Sequence, residues 1–398
     1  MGRSTNLWVN NLDFEKSYYC RCEMALEDFI NDTHNQHFVA RTEQRLNSCS
    51  DDPSSKKASI YCFNVIDADA HEVQFQGKKT IENNLSFRDL FTLSRLTEKE
   101  RVNLENLFKR YESVYSEHVA NVLGWVAKAR EVFSNECQSI SFEKIEGCNA
   151  SELISSIKLI YTYNVMNWLR NPYKVKEVLR SFGEQSHMCV AQPDALELYF
   201  SLINKNVSEE EYICSTYKLS AEEYRAWMRV IILFLYSQNG GATILDGFVE
   251  EFFLADEYTT AVLVQAYDEK CALLSDIGLV RDSRGVDLIR YMNISKNCIV
   301  ALQHTAIEDS RLEELLDAGA VPAEHRGAAR EQLKSALGRK VFGTISLNNA
   351  EVLAGYNKIC VKAAAFKVFS ASTEVDGVKV IPKSTSKALD QDTVKASL

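Results

Sequence analysis

Three short acidic signatures set the strongest constraint on how this chain folds. Thr97 opens T-E-K-E, Ser208 opens S-E-E-E and Ser220 opens S-A-E-E. In each, a hydroxyl is placed to accept from the backbone N–H three residues on, and the glutamate there reaches back to the first N–H. That reciprocal pair is a capping box, and it starts a helix. Apolar residues at intervals of three and four follow. After the first box they are Val102, Leu104, Leu107, Phe108, Tyr111, Val114 and Tyr115, and after the third comes the run RAWMRVIILFLYS. The spacing predicts one long helix towards Phe133 and a strongly buried one after Ser220. Helical spacing also covers Phe14 to about Asn31, Leu153 to Trp168, and 175–182. Further helices are expected at about 243–274, 284–306, 308–318, 322–337 and 347–369. One β element stands out: Ile60, Cys62, Val65 and Ile66, then Val73 and Phe75, flank Asp67-Ala68-Asp69-Ala70 as a hairpin ending at Gly77. The fold class that follows is mainly α.

A chain of 398 residues exceeds the roughly 250 to 300 at which single cores stop growing. Two helical lobes are therefore expected, 14–147 with the hairpin and 148–370, divided at the break that holds Gly147 and Asn149. Residues 1–13 read as an arm whose Leu7, Trp8 and Val9 are too few for a core and too apolar for a solvated tail. Docking on a neighbouring subunit is the role expected of them. Residues 371–398, rich in Ser, Thr, Lys and Asp, read as a flexible tail. There is no signal-peptide pattern and no apolar run of about 18 residues, so neither secretion nor a membrane span is expected. Eleven cysteines, an odd number without a secretory signal, fit reduced thiols inside the cell.

Catalytic and metal-binding patterns are incomplete. Cys20, Cys22, His34 and His37 imitate a zinc finger, but both pairs are one residue short of the usual spacing. Gly338 to Gly343 has the glycine spacing of a phosphate loop, yet Thr344-Ile345 stands where lysine and a hydroxyl residue belong. A helix start or flexible joint fits that stretch better. No histidine stands in a signature with Ser, Cys or Asp. No enzyme activity, cofactor or metal is expected.

Charge supplies the positive signal. The net charge of −10 disfavours nucleic-acid binding by bulk charge, yet cations gather twice. Lys158, Arg170, Lys174, Lys176 and Arg180 face only Glu177 between 158 and 180. Arg339, Lys340, Lys358, Lys362 and Lys367 face only Glu351 between 335 and 370. Lys176 and Arg180, like Lys358 and Lys362, are four apart and share a helical face. A phosphate groove in an acidic body needs only such a few convergent cations. Lys158, Arg170, Lys174, Lys176, Arg180, Arg339, Lys340, Lys358 and Lys362 are thus the candidate RNA-binding residues, with Tyr173 and Phe342 beside them to stack on bases.

In length, in element order and in its apolar-tipped arm and loose tail, the chain resembles the nucleoproteins of negative-strand RNA viruses, the rhabdovirus-like plant viruses especially. The resemblance implies two lobes that clamp single-stranded RNA, self-assembly through terminal extensions, phosphoprotein and polymerase partners, and residence in virion and host cytoplasm. Two other functions compete with it. One is a helical interaction scaffold without nucleic acid, using the acidic apolar stretch from Asp246 to Asp268. The other is an all-helical enzyme whose site is assembled from distant residues.

Overall fold

The computed structural model describes residues 26–94, 101–133, 139–203, 207–237, 241–254, 258–284, 287–338 and 340–382. The first third of the chain is β-rich around one long helix. It runs β1 (Asn35–His37), α1 (Arg41–Leu46), β2 (Ser59–Asp67), β3 (Glu72–Thr80), β4 (Ser86–Arg88), β5 (Thr92–Ser94), β6 (Arg101–Asn103), α2 (Glu105–Val132) and β7 (Ser139–Ser141). A helical middle follows with α3 (Ala150–Leu169), α4 (Val175–Phe182), α5 (Pro193–Ile203), α6 (Val207–Tyr217), α7 (Ala221–Leu235) and α8 (Ile244–Leu254). The last part returns to strands with β8 (Tyr258–Ala266), β9 (Leu274–Ser275), β10 (Val280–Arg284), β11 (Asp287–Ser295) and β12 (Cys298–Ala306). It ends with α9 (Asp309–Ala318), α10 (Arg326–Leu337), β13 (Val341–Leu347), α11 (Ala350–Ala363), β14 (Lys367–Ser370) and β15 (Lys379–Ile381).

The expectation of a mainly α chain is overturned, because the described chain is mixed α/β, 49% helical and 25% strand. A six-stranded sheet has the order β10-β11-β12-β8-β13-β7, and a five-stranded sheet the order β15-β3-β2-β14-β9. Both are antiparallel except at β13–β8 and β15–β3. The expected helix at 284–306 is the hairpin β11–β12. The expected helix at 243–274 stops with α8 and continues as β8, and that at 347–369 is α11 followed by β14. For β11 and β12 the cause is burial on both faces of a strand. Tyr291 to Ser295 and Cys298 to Leu302 are buried at every position, which erases the period of two that marks a half-buried strand. What remained was β-branched content, as in Thr259, Thr260, Val262 and Val264 of β8.

The hairpin expected at 60–77 is present as β2–β3, with the Asp67 side chain accepting from the N–H groups of Asp69 and Ala70 at its turn. The Ser220 capping box also forms, with Glu223 N donating to Ser220 Oγ at 3.0 Å and Ser220 N to Glu223 Oε2 at 2.8 Å. Ser208 instead falls within the first turn of α6, and the Thr97 box lies outside the described residues. Gly338 closes α10, and Gly343 sits in mid-strand of β13, where a Cβ would come within 2.0 Å of the Phe142 ring. This stretch is a strand under a ring, neither a helix start nor a joint.

One core joins α2, α3, α7 and α8 to one face of the six-stranded sheet through Met292, Val300, Leu302, Val262 and Val264. The opposite face supplies Ile289, Tyr291, Ile299 and Ala301 to a second cluster, which α11 shares with Phe63, Val73 and Val368 of the five-stranded sheet. Thus α11 lies between the two sheets. In α3 every residue from Tyr161 to Leu169 is buried, as is Arg170 after it, as suits a helix packed on all sides.

Candidate nucleic-acid interface

The two basic segments meet at one pair of rings. Tyr173 sits in a short 3-10 turn (Pro172–Lys174) that leads into α4, and Phe366 stands three residues after the end of α11. Their centroids are 5.4 Å apart. Two buried polar residues fix this meeting. The Asp276 carboxylate accepts from the backbone N–H groups of Ala365, Phe366 and Lys367, each at 2.8 Å. Asn171 donates to the Asp276 carbonyl at 2.9 Å while its own Oδ1 accepts from Tyr173 N at 3.0 Å. A carboxylate sealed from water is tolerable when it accepts several such bonds. Here those bonds hold both aromatic turns in register.

From that pair a strip of rings continues. Tyr173 meets Tyr217 at 5.3 Å, Tyr217 meets Phe87 at 5.3 Å, and Phe87 stacks on Tyr212 at 5.4 Å with 28° between planes. Phe38 closes against Tyr173 from beneath at 5.6 Å. The strip opens to solvent at Phe366, 60% exposed, Tyr173, 37%, and Tyr212, 63%, while Phe87 and Tyr217 between them are half-buried against the core. Rings this exposed lose the usual benefit of burial, so a run of them is informative where a single one is not. Four of the five carry a cation as the next residue: Arg88, Lys174, Lys218 and Lys367. Arg88, Lys218 and Lys367 are exposed, and Lys174 is half-buried 3.1 Å from Glu177. Burial among its neighbours pushes the Tyr173 hydroxyl up to about 12, so it stays protonated and able to donate.

The candidate cations divide by location. Lys176 and Arg180 are exposed on α4, directly after the strip, and Lys362 is exposed near the end of α11, 3.9 Å from Asp69. Lys358 is exposed one turn earlier on the same helix. Lys158 is elsewhere, paired with Glu250 at 2.7 Å beside Phe253. Lys340 is exposed at the start of β13, where its carbonyl accepts from Thr260 N. Arg170 does not face solvent at all. It is fully buried, donates to Glu112 at 2.7 Å and Asn167 at 2.8 Å, and lies 4.6 Å from the Phe108 centroid. The sequence reading placed it among surface cations because nothing in the sequence announces a carboxylate 58 positions away. Arg339, the arm residues Leu7, Trp8 and Val9, and Cys20 and Cys22 lie outside the described residues. Phe342 is 52% exposed on β13, apart from the strip.

A groove of about 590 Å³ lies between α2 and the start of α3, lined by Glu117, His118, Asn121 and Glu152 among others. In it His118 Nδ1 is 3.3 Å from Ser156 Oγ, which also accepts from Asn121 at 2.8 Å. Ser156 is 4% exposed and in mid-helix, so a substrate carbonyl has no approach to its oxygen. The contact joins two helices. Among the described residues no helix is long and apolar enough to cross a membrane, and no group of three metal-ligating side chains occurs. No family model, curated protein or solved structure matches this chain.

Proposed function

We propose that this protein binds single-stranded RNA along the strip from Phe366 to Tyr212 and coats it in many copies, as a nucleoprotein. The observation that carries the reading is five rings in successive contact, three of them exposed, four of them followed by a cation. Bases of any identity stack on such rings, and lysines beside them take the phosphates, which is how single strands are held without sequence preference. The acidic remainder of the molecule limits contact to this path. Self-association would use the arm around Trp8, and phosphoprotein and polymerase partners, virion and host cytoplasm belong to the same reading.

Fluorescence anisotropy with a labelled oligouridylate tests it. Wild-type protein should bind with an affinity that falls steeply with salt. Tyr173→Ala with Phe366→Ala should weaken binding at least tenfold, since stacking contributes about 1 to 3 kcal/mol per base. Lys176→Ala should mainly reduce the salt slope, by about one contact. Imaging of the RNA-bound fraction before and after ribonuclease reports coating. If the wild type ignores RNA at low salt, the reading fails and the exposed rings become a protein-docking face.

A further inference from the structure

Two arginines rise from the six-stranded sheet where α3 and α8 cover it. Arg281 of β10 and Arg290 of β11 are directly paired across the strands. Their side chains therefore leave the same face, an arrangement in which like charges repel. Each guanidinium lies on a ring of a covering helix. Arg281 is 4.5 Å from the Trp168 centroid, and Arg290 is 4.1 Å from Phe252 and 6.0 Å from Tyr161. Tyr161 and Trp168 are seven residues apart on α3, which puts them on one side, two turns from each other.

The charges around them do not balance. Arg281 pairs with Glu177 at 2.9 Å, but Glu177 also holds Lys174. Lys158 and Glu250 neutralise each other nearby on α3 and α8. His304, on the same sheet face, is 4.0 Å from Phe252; its Nδ1 meets Thr260 at 3.0 Å while its Nε2 is buried without a partner. Arg290 has no carboxylate partner among the described residues, and its Nε and Nη1 are sealed from solvent without an acceptor. Trp168 Nε1 is a buried donor in the same condition. A guanidinium does not shed its proton to escape such a place, and contact with rings compensates only part of the lost hydration.

We infer that this arginine pair binds a phosphate group, gripped by the Arg290 fork with Arg281 beside it. Nε and a terminal nitrogen of one guanidinium match two oxygens of an oxyanion. Two arginines against one shared glutamate suit a dianion better than a carboxylate. Arg290 is half-buried as a residue and Arg281 is exposed, so the pair lies at the margin of the covered sheet face, and binding requires the Arg290 side chain to turn off Phe252 so that its sealed Nε and Nη1 reach the ligand. The inference is distinct from the RNA reading in its rings, Trp168, Tyr161 and Phe252, none of which belongs to the strip, although Arg281 shares Glu177 with Lys174 of the strip.

Thermal unfolding in phosphate-free buffer, with inorganic phosphate added at constant ionic strength against chloride, tests it. The wild type should show a saturable rise in Tm. Arg290→Met should abolish the rise, and should melt no lower than wild type without phosphate because the unpaired charge is gone. Arg290→Lys, which keeps the charge but not the fork, should weaken the apparent affinity at least tenfold, and it serves where the Met variant fails to fold. Adenosine 5′-monophosphate should act like phosphate and adenosine should not, while an oligouridylate lacking a terminal phosphate separates backbone from terminal phosphate. The Tyr173→Ala/Phe366→Ala protein should retain the full response, which keeps the two readings distinguishable. A wild type without a saturable response, or an Arg290→Lys variant that responds like wild type, overturns the inference.

Discussion

Glu43 is held on α1 in the middle of the molecule, donating nothing and accepting from Asn167 at 2.8 Å. Arg170, Tyr115 and Tyr163 interact with it electrostatically, and Arg170 also acts on Glu105 and His37. Burial pushes its carboxyl up to about 8 and that of Glu105 to about 7, from an ordinary value of 4.5. Between these values the folded protein keeps protons that the unfolded chain releases, so stability falls as pH rises from about 4.5 to about 8. His37 runs the other way. Burial lowers it from 6.5 to about 4, the unfolded chain takes up the proton first, and stability falls as pH drops through that window. Two carboxyls outweigh one imidazole, so these three groups together make stability fall from about pH 4.5 towards about pH 8. Glu43→Gln should match wild type at pH 5 and exceed it at pH 8.5 by on the order of 2 kcal/mol in urea unfolding. An equal difference at both pH values would rule out the titration of Glu43 as the cause. At this scale the sequence was informative about residue type and silent about partners. The aromatic–cation pairs of the strip are visible as F-R, Y-K, Y-K and F-K, but Phe108-Lys109 and Tyr224-Arg225 look the same and have fully buried rings.

Local chemistry and packing divide the credit among the elements. The β2–β3 turn and the Ser220 cap are set by side chains bonding to backbone within three residues, so they were legible. Strands β8, β11 and β12 were not, because what makes them strands is pairing with one another. Asn171 and Asp276, which brace the two aromatic turns, carry no sequence signal for the same reason: they lie 105 residues apart and share one hydrogen bond. Gly343 offers a test of how tightly one such strand is fitted. With the Phe142 ring where a Cβ would go, Gly343→Ala should cost about 1 to 3 kcal/mol through overpacking, seen as a lower Tm. Adding Phe142→Leu should recover part of the loss, and a Gly343→Ala protein as stable as wild type would show that the ring moves freely.

For the molecule as a whole, the sheets draw strands from opposite ends of the chain. β14 lies between β2 and β9, with Phe369 opposite Cys62 on one side and Leu274 on the other. β7, from before α3, forms the edge of the six-stranded sheet beside β13. A chain ended after Ala364 loses β14 with the fully buried Val368 and Phe369, and exposes two strand edges in the centre of a sheet. It should show no cooperative thermal transition by near-ultraviolet circular dichroism. A cooperative melt within a few degrees of wild type would mean that these strands are dispensable.

The sequence by itself determined the Ser220 helix start, the hairpin turn, the acidic balance and the two basic segments, since each depends on residues within a few positions of one another. Only the tertiary structure decided that the segments meet at Tyr173 and Phe366, that Arg170 is buried, and that three apolar runs are strands. Those outcomes rest on which distant surfaces exclude water together, and that free energy is shared between segments, so no single stretch of sequence carries it.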